Sequence, residues 1–327
     1  MESSHPSNSS KSKSDTAVGD SPKERPPKRV PSDKQVMLEH GFYLGKKIGS
    51  GSYSQVRFAV TKGKFDKIAV KIIDRRRAPR DYQQYFLPRE LAHITFLKHP
   101  NVIRTYEWFE ENQKVYQIME LAECGDVLEY VRTVSKGAVG DELAQKWTLQ
   151  MARAVAYMHI HGKAHRDIKC ENLLLDSQKN IKLCDFGFIT PAFYGSLNGT
   201  FCGSAAYAAP EIIRSQPYSP FLSDVWAVGV VAYILATGYM PFGDDVRNVA
   251  TIVKAHDREL RFPTSGEPIS EDCKDLIRQA LTVDVRRRID IHMVLAHPWF
   301  LSQECQDAAS TPDQRRIEID DDDGCLY

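Results

Sequence analysis

The sequence predicts an α+β fold in two lobes, a β-rich N-terminal lobe with one main helix and a larger, mostly helical C-terminal lobe. Three observations carry this. Short β-branched and aromatic runs, broken by Gly, Lys and Asp, fill residues 42–120. Beyond Asp126 the apolar residues recur at helical spacing. The chain has 327 residues, 42% hydrophobic and 26% charged, which suits roughly two compact lobes of an ordinary soluble protein.

The elements follow in order. Residues 1–34 are rich in Ser, Pro, Lys and Arg and nearly devoid of large apolar side chains. Such a segment buries too little surface to offset its ordering entropy. Order is expected from Gly41, so residues 1–40 read as a disordered tail. The runs FYLGKKI, QVRFAV, KIAVKII and VYQIME read as strands. One helix is expected over residues 87–99, with Pro88 tolerable only in its first turn. Leu143, Trp147, Met151, Ala154 and Met158 form a helical stripe that Gly162 closes. Short strands are expected at ENLLLD and NIKLCDF, then a long loop over 188–208, then helices to Trp299. Residues 301–327 hold two basic and eight acidic side chains and no amphipathic pattern, which reads as an acidic tail. The boundaries are therefore 1–40 tail, 41–120 N-lobe, 121–300 C-lobe and 301–327 tail.

Charge and cysteine usage exclude several classes. Forty-three Lys and Arg balance 43 Asp and Glu, which argues against a nucleic-acid binder that depends on a basic surface. The seven cysteines form no C-x-x-C pair, so a zinc module or a disulfide scaffold is disfavoured. Free thiols in a reducing, cytoplasmic setting are expected. The N-terminus lacks the apolar core of a secretory signal. The apolar run 225–238 is too short to span a bilayer and reads as a buried helix.

Two local patterns suggest chemistry. In Gly49-Ser50-Gly51-Ser52-Tyr53-Ser54-Gln55-Val56, between two strands, glycines let backbone N–H groups approach phosphate oxygens. A Gly/Ser hairpin turn fits the same residues. Lys71 interrupts the apolar run 68–73, and on its own it reads equally as an edge lysine that reaches solvent. Glu90, however, shares a helical stripe with Ile94 and Leu97. A carboxylate on an apolar stripe needs a buried positive partner, and Lys71 can supply it.

Further along stand His165-Arg166-Asp167-Ile168-Lys169-Cys170-Glu171-Asn172, then Asp185-Phe186-Gly187, then Ala209-Pro210-Glu211. With the AVK of 69–71, this ordered set resembles the eukaryotic protein kinase catalytic domain across roughly residues 42–300. The resemblance implies a bilobal protein kinase-like fold, ATP as phosphoryl donor and Mg²⁺ as cofactor. It implies Asp167 as the base that accepts a hydroxyl proton, and Lys169 beside the transferring phosphoryl group. Lys71, paired with Glu90, would hold the α- and β-phosphates, and Asn172 and Asp185 would ligate Mg²⁺. Adenine would lie between Ile48, Val56 and Ala69 above and Leu174 below. The backbone of residues 120–122, Glu120 and Ala122 included, would form the hinge, with Met119 as gatekeeper. Ser54 departs from the usual loop, which has a third glycine there.

Lys169, two residues after the base, resembles serine/threonine kinases. Arg166 beside the base resembles kinases switched on by phosphorylation of a later loop, and Thr200 is the matching acceptor for an upstream kinase. Thr190 stands where many kinases carry a second basic ligand for that phosphate. Ser204 is expected to contact Asp167 and Lys169. Asp224 resembles the aspartate that holds the catalytic loop, and Arg288 the arginine that pairs with Glu211. Asp126 and Glu171 flank the expected peptide groove and would favour a basic residue upstream of the acceptor; Asp126 also suits the ribose hydroxyls. Cys184 and Cys202 read either as reactive thiols near ATP or as small, partly buried residues.

The C-lobe and its HPWF ending look like the calcium/calmodulin-dependent kinase group. FLPREL, GDVLEYV, TFCGSAAYAAPEI and YSPFLSDVWAVGVV are similar to the testis-specific serine/threonine kinases. That implies a non-specific serine/threonine protein kinase, a monomer without nucleic-acid or membrane partners, acting in spermatid differentiation or sperm function. The alternative reading is a catalytically weak pseudokinase that serves as a scaffold.

Overall fold

A computed structural model describes residues 31–200, 202–243, 259–266 and 268–301. Of the expected tails 1–40 and 301–327, residues 1–30 and 302–327 lie outside the described residues, as does Phe201.

The N-lobe is built on one antiparallel sheet of five strands. These are β1 (Phe42–Ser50), β2 (Ser54–Thr61), β3 (Lys67–Asp74), β4 (Thr105–Glu111) and β5 (Lys114–Glu120), in the order β1-β2-β3-β5-β4. Register decides what each face carries. Val56 pairs with Lys71, and Ala69 with Met119, so all four share the face turned to the C-lobe. The alternate residues Ile68, Val70, Ile72, Tyr116 and Ile118 form the opposite face.

That outer face is covered by an element the sequence reading missed. Residues 33–39 were expected within a disordered tail, yet α1 (Asp33–Glu39) packs there with Val36 and Met37 fully buried. Ser32 caps it by accepting from the Gln35 N–H. Asp33 accepts from Lys114 Nζ at 2.7 Å and Tyr116 Oη at 2.9 Å. Two apolar residues in a short polar stretch carry little sequence signal. Their burial depends on a sheet face formed by distant residues.

The expected helix 87–99 is also displaced. A π turn (Tyr82–Phe86) leads directly into α2 (Leu87–Ile94). Pro88 has no N–H and its ring crowds the carbonyl four residues back; the wider π turn relieves that clash. The helix stops at Ile94, although Leu97 still folds inward and is buried. Pro100 disfavours helical geometry at the residue before it.

The C-lobe begins with α3 (Val127–Glu129) and α4 (Asp141–Ile160), which carries the predicted stripe. Two small sheets follow, β6 (Lys163–Ala164) with β9 (Thr190–Pro191), and β7 (Leu173–Leu175) with β8 (Ile181–Leu183). Then come α5 (Pro210–Ile213), α6 (Pro220–Thr237), α7 (Glu271–Ala280) and α8 (Ile291–Leu295). α6 is apolar on every side. It is long and apolar enough to cross a membrane, but 94% of it is buried inside the protein. It is the core helix against which α4 and α7 pack.

Candidate active site

A cleft of about 830 Å³ lies between the lobes, within the size range of small-molecule sites. Ile48, Val56, Ala69 and Met119 line it from the N-lobe, and Leu174, Cys184 and Phe186 from the C-lobe. Glu120 and Ala122 line it at the connection between the lobes. The Glu120 N–H is committed to the Arg104 carbonyl at 2.8 Å, so it is not open to a ligand in the cleft.

The glycine-rich turn divides in two. Gly49, Ser50, Gly51 and Ser54 line the cleft, whereas Ser52, Tyr53 and Gln55, expected there as well, do not. Tyr53 turns back onto Tyr82, and Gln55 donates to Asp33 Oδ2 at 3.4 Å. The Ser52 carbonyl accepts from Arg77 at 3.4 Å. In β2, Gln55 alternates with the cleft-lining Ser54 and Val56 and so turns to the opposite side.

Lys71 Nζ donates to Glu90 Oε1 at 2.9 Å and to Asp185 Oδ1 at 3.0 Å. Glu90 is 1% exposed, and the buried carboxylate has found the partner its stripe demanded. Asp185 and Glu90 hold Lys71 well above the usual lysine range despite burial. Lys71 holds Asp185 below the ordinary carboxylate range. Lys71 and Asp185 are therefore both charged near neutrality.

Below the cleft, Asp167 is gripped on both oxygens. Oδ2 accepts from Lys169 Nζ at 2.7 Å and Asn172 Nδ2 at 3.1 Å. Oδ1 accepts from the Ser204 N–H at 2.9 Å and its hydroxyl at 3.0 Å. Lys169 also reaches Ser204 Oγ at 3.0 Å. Gly203 makes this approach possible. It has φ of 85°, and a Cβ there would collide with the Arg166 carbonyl. Asn172 donates to the Asp167 carbonyl at 2.8 Å, which leaves its amide oxygen to face the cleft beside Asp185. One carboxylate and one amide oxygen form a sparse donor set, of the kind that suits Mg²⁺ completed by phosphates. No cluster of three or more His, Cys, Asp or Glu with metal-binding geometry occurs among the described residues.

The turn bearing Asp167 is strained at Arg166, with φ of 67°, and Asp185, in the segment after β8, has φ of 62°. Asp224 holds it, accepting from the His165 N–H at 2.9 Å and the Arg166 N–H at 2.8 Å. His159, which no sequence motif singles out, completes this at 2.9 Å from Asp224 Oδ2. Arg288 pairs with Glu211 as expected, through two bonds at 2.8 and 2.9 Å. Arg166 Nε donates to the Phe188 carbonyl at 2.9 Å. Thr200 is exposed, and its carbonyl accepts from Tyr218 Oη at 3.0 Å. Thr190 is buried in β9. Asp126 caps α3 through the Glu129 N–H at 2.8 Å, and Glu171 accepts from Tyr207 Oη at 3.2 Å. Both carboxylates line the cleft. Burial pushes the Cys184 and Cys202 thiols up, which suits packing rather than nucleophilic reactivity.

Comparison with known proteins agrees with this geometry. The protein kinase domain family matches residues 42–300. Mouse (Mus musculus) testis-specific serine/threonine-protein kinase 1 is 42% identical over 274 residues, 82% of this chain and 74% of that protein. Human (Homo sapiens) testis-specific serine/threonine-protein kinase 3 is 41% identical over 272 residues, 82% of this chain and 99% of that protein. An Arabidopsis thaliana SNF1-related protein kinase catalytic subunit alpha is 36% identical over 269 residues, 82% of this chain and 53% of that protein. The chain belongs to the protein kinase family, among the serine/threonine kinases of the calcium/calmodulin-dependent group and on the branch of the testis-specific serine/threonine kinases.

Proposed function

We propose that this chain transfers the γ-phosphoryl group of ATP to serine and threonine hydroxyls of proteins, with Mg²⁺ as cofactor. One observation carries the reading. The Lys71–Glu90 pair, the ionised Asp185 and Asn172 line one cleft, and Asn172 bonds directly to the four-fold-held Asp167 beneath it. Lys71 would hold phosphate oxygens, and Asn172 and Asp185 would hold the metal. The metal would offset the charge that spreads over the phosphate oxygens. Asp167 would orient the acceptor hydroxyl and take its proton, while Lys169 steadies both. Asp126 and Glu171 would draw a basic residue upstream of the acceptor.

Phosphorylation of Thr200 by an upstream kinase would place a dianion near Arg166, which Tyr218 already links to that segment. The relatives' names support a role in sperm development, and the free cysteines a cytoplasmic setting, where we take the protein to act as a monomer. A second reading, a scaffold of weak activity, has one observation in its favour, Ser54 in place of a glycine.

One assay separates them: purified protein, Mg-ATP and a basic Ser/Thr peptide, before and after treatment with upstream kinases. Asp167→Asn is expected to lower transfer by about 10²–10⁴-fold. Thr200→Ala is expected to keep basal transfer and lose the activation. Wild-type signal no greater than that of Asp167→Asn favours the scaffold, and full activation of Thr200→Ala removes the switch.

A further inference from the structure

Tyr82 belongs to none of the sequence motifs, yet it touches two of them. Its hydroxyl donates to Glu90 Oε2 at 3.2 Å, while Lys71 takes Glu90 Oε1 at 2.9 Å. The carboxylate is thus held on both oxygens, and the lysine is only one of its holders. The Tyr82 ring lies against Tyr53 in the glycine-rich turn, with centroids 4.5 Å apart and 49° between planes.

The local backbone explains the contact. Tyr82 and Glu90 are eight residues apart, which in an α-helix turns them about 80° from one another. The π turn Tyr82–Phe86 accommodates about one extra residue. The pair then behaves as about seven residues apart, close to two α-helical turns, and shares a face. Burial pushes both phenols up, so Tyr53 and Tyr82 stay protonated and Tyr82 remains a donor to Glu90.

We propose that Tyr82 is a positioning residue that couples the phosphate-cradling turn to the Lys71–Glu90 pair. The ring supports Tyr53, and the hydroxyl fixes the second oxygen of Glu90. A shift of the turn is thereby passed to the carboxylate that orients Lys71, and a shift of α2 is passed to the turn. The inference rests on the kinase reading above.

The test is a variant series in the full chain: Tyr82→Phe, Tyr82→Ala, Tyr53→Ala and the double alanine variant. The readouts are kcat and KM for ATP, and the Kd of a fluorescent methylanthraniloyl-ADP, which needs no phosphoryl transfer. Tyr82→Phe keeps the ring and loses one hydrogen bond, so kcat/KM is expected to fall about three- to tenfold, mainly in kcat. Tyr82→Ala is expected also to raise KM and the probe's Kd, and the conservative Phe variant to restore both. The double variant is expected to bind the probe no worse than the weaker single one, because the two rings act as a unit. Tyr82→Phe with unchanged kcat, or ring effects that multiply independently, overturns the coupling while leaving the kinase reading intact. A wild-type chain that neither binds the probe nor transfers phosphate overturns both.

Discussion

Asp224 shows how one buried side chain fixes the chemistry of another. Its oxygens accept from the His165 and Arg166 N–H groups and from His159, and it is 1% exposed. Those two N–H groups belong to a turn whose Arg166 sits at positive φ, a conformation that persists only where neighbours enforce it. Asp224→Asn keeps the shape but offers one acceptor oxygen in place of two. Its amide N–H₂ must then face a donor in a dry site. We expect a loss of about 3 kcal/mol in folding stability, with phosphoryl transfer falling further than stability alone explains. Denaturant unfolding and transfer at saturating ATP measure the two separately, and wild-type values in either refute the claim. At this scale much was legible. Asp167, Lys169, Asn172 and Asp185 come in fixed local patterns, and Glu90 announced its partner because a carboxylate on an apolar stripe cannot stand alone. His159 and Tyr82 were not legible. Each acts through a contact set by helix phase, and neither lies in a short motif.

The element most easily overlooked is α1. It is seven residues long, too short to be helical alone, and it follows a polar, proline-rich stretch. It exists because Val36 and Met37 join the apolar cluster on the outer face of the sheet, where α1 packs on β1, and because Asp33 meets Lys114 and Tyr116. Its Asp33 also accepts from Gln55 at the start of β2, so it borders the glycine-rich turn from outside. Met37→Ala is expected to cost about 2–5 kcal/mol, the range for emptying a packed apolar site. Leu38→Ala, one residue on and 46% exposed, is expected to cost less than about 0.5 kcal/mol. Chemical denaturation of the two variants distinguishes a docked helix from a passing tail, and equal small effects would refute docking. The same comparison explains the missed boundary. Strands and long helices declare themselves by internal period, whereas α1 is defined by the surface that receives it.

At the scale of the whole molecule, the Lys71–Asp185 bond joins the two lobes across residues 114 positions apart. A ligand that needs both residues binds the closed arrangement and stabilises the fold by mass action. Mg-ATP at about a hundred times its Kd contributes about 2.7 kcal/mol. For a chain of this size that corresponds to a rise of about 4–5 °C in Tm. Asp185→Asn removes the charge that Lys71 uses and that would hold the metal, so its Tm is expected to rise by less than half as much. The pH dependence has a definite sign. Lys71 holds the Asp185 carboxyl below its usual range, so the pair is intact above that range and is lost only as pH falls through the lowered value. The nucleotide-induced shift should therefore be level between about pH 6 and 8. A shift that survives undiminished in Asp185→Asn would mean that nucleotide is held by one lobe alone, and the lobes are then not joined through this residue.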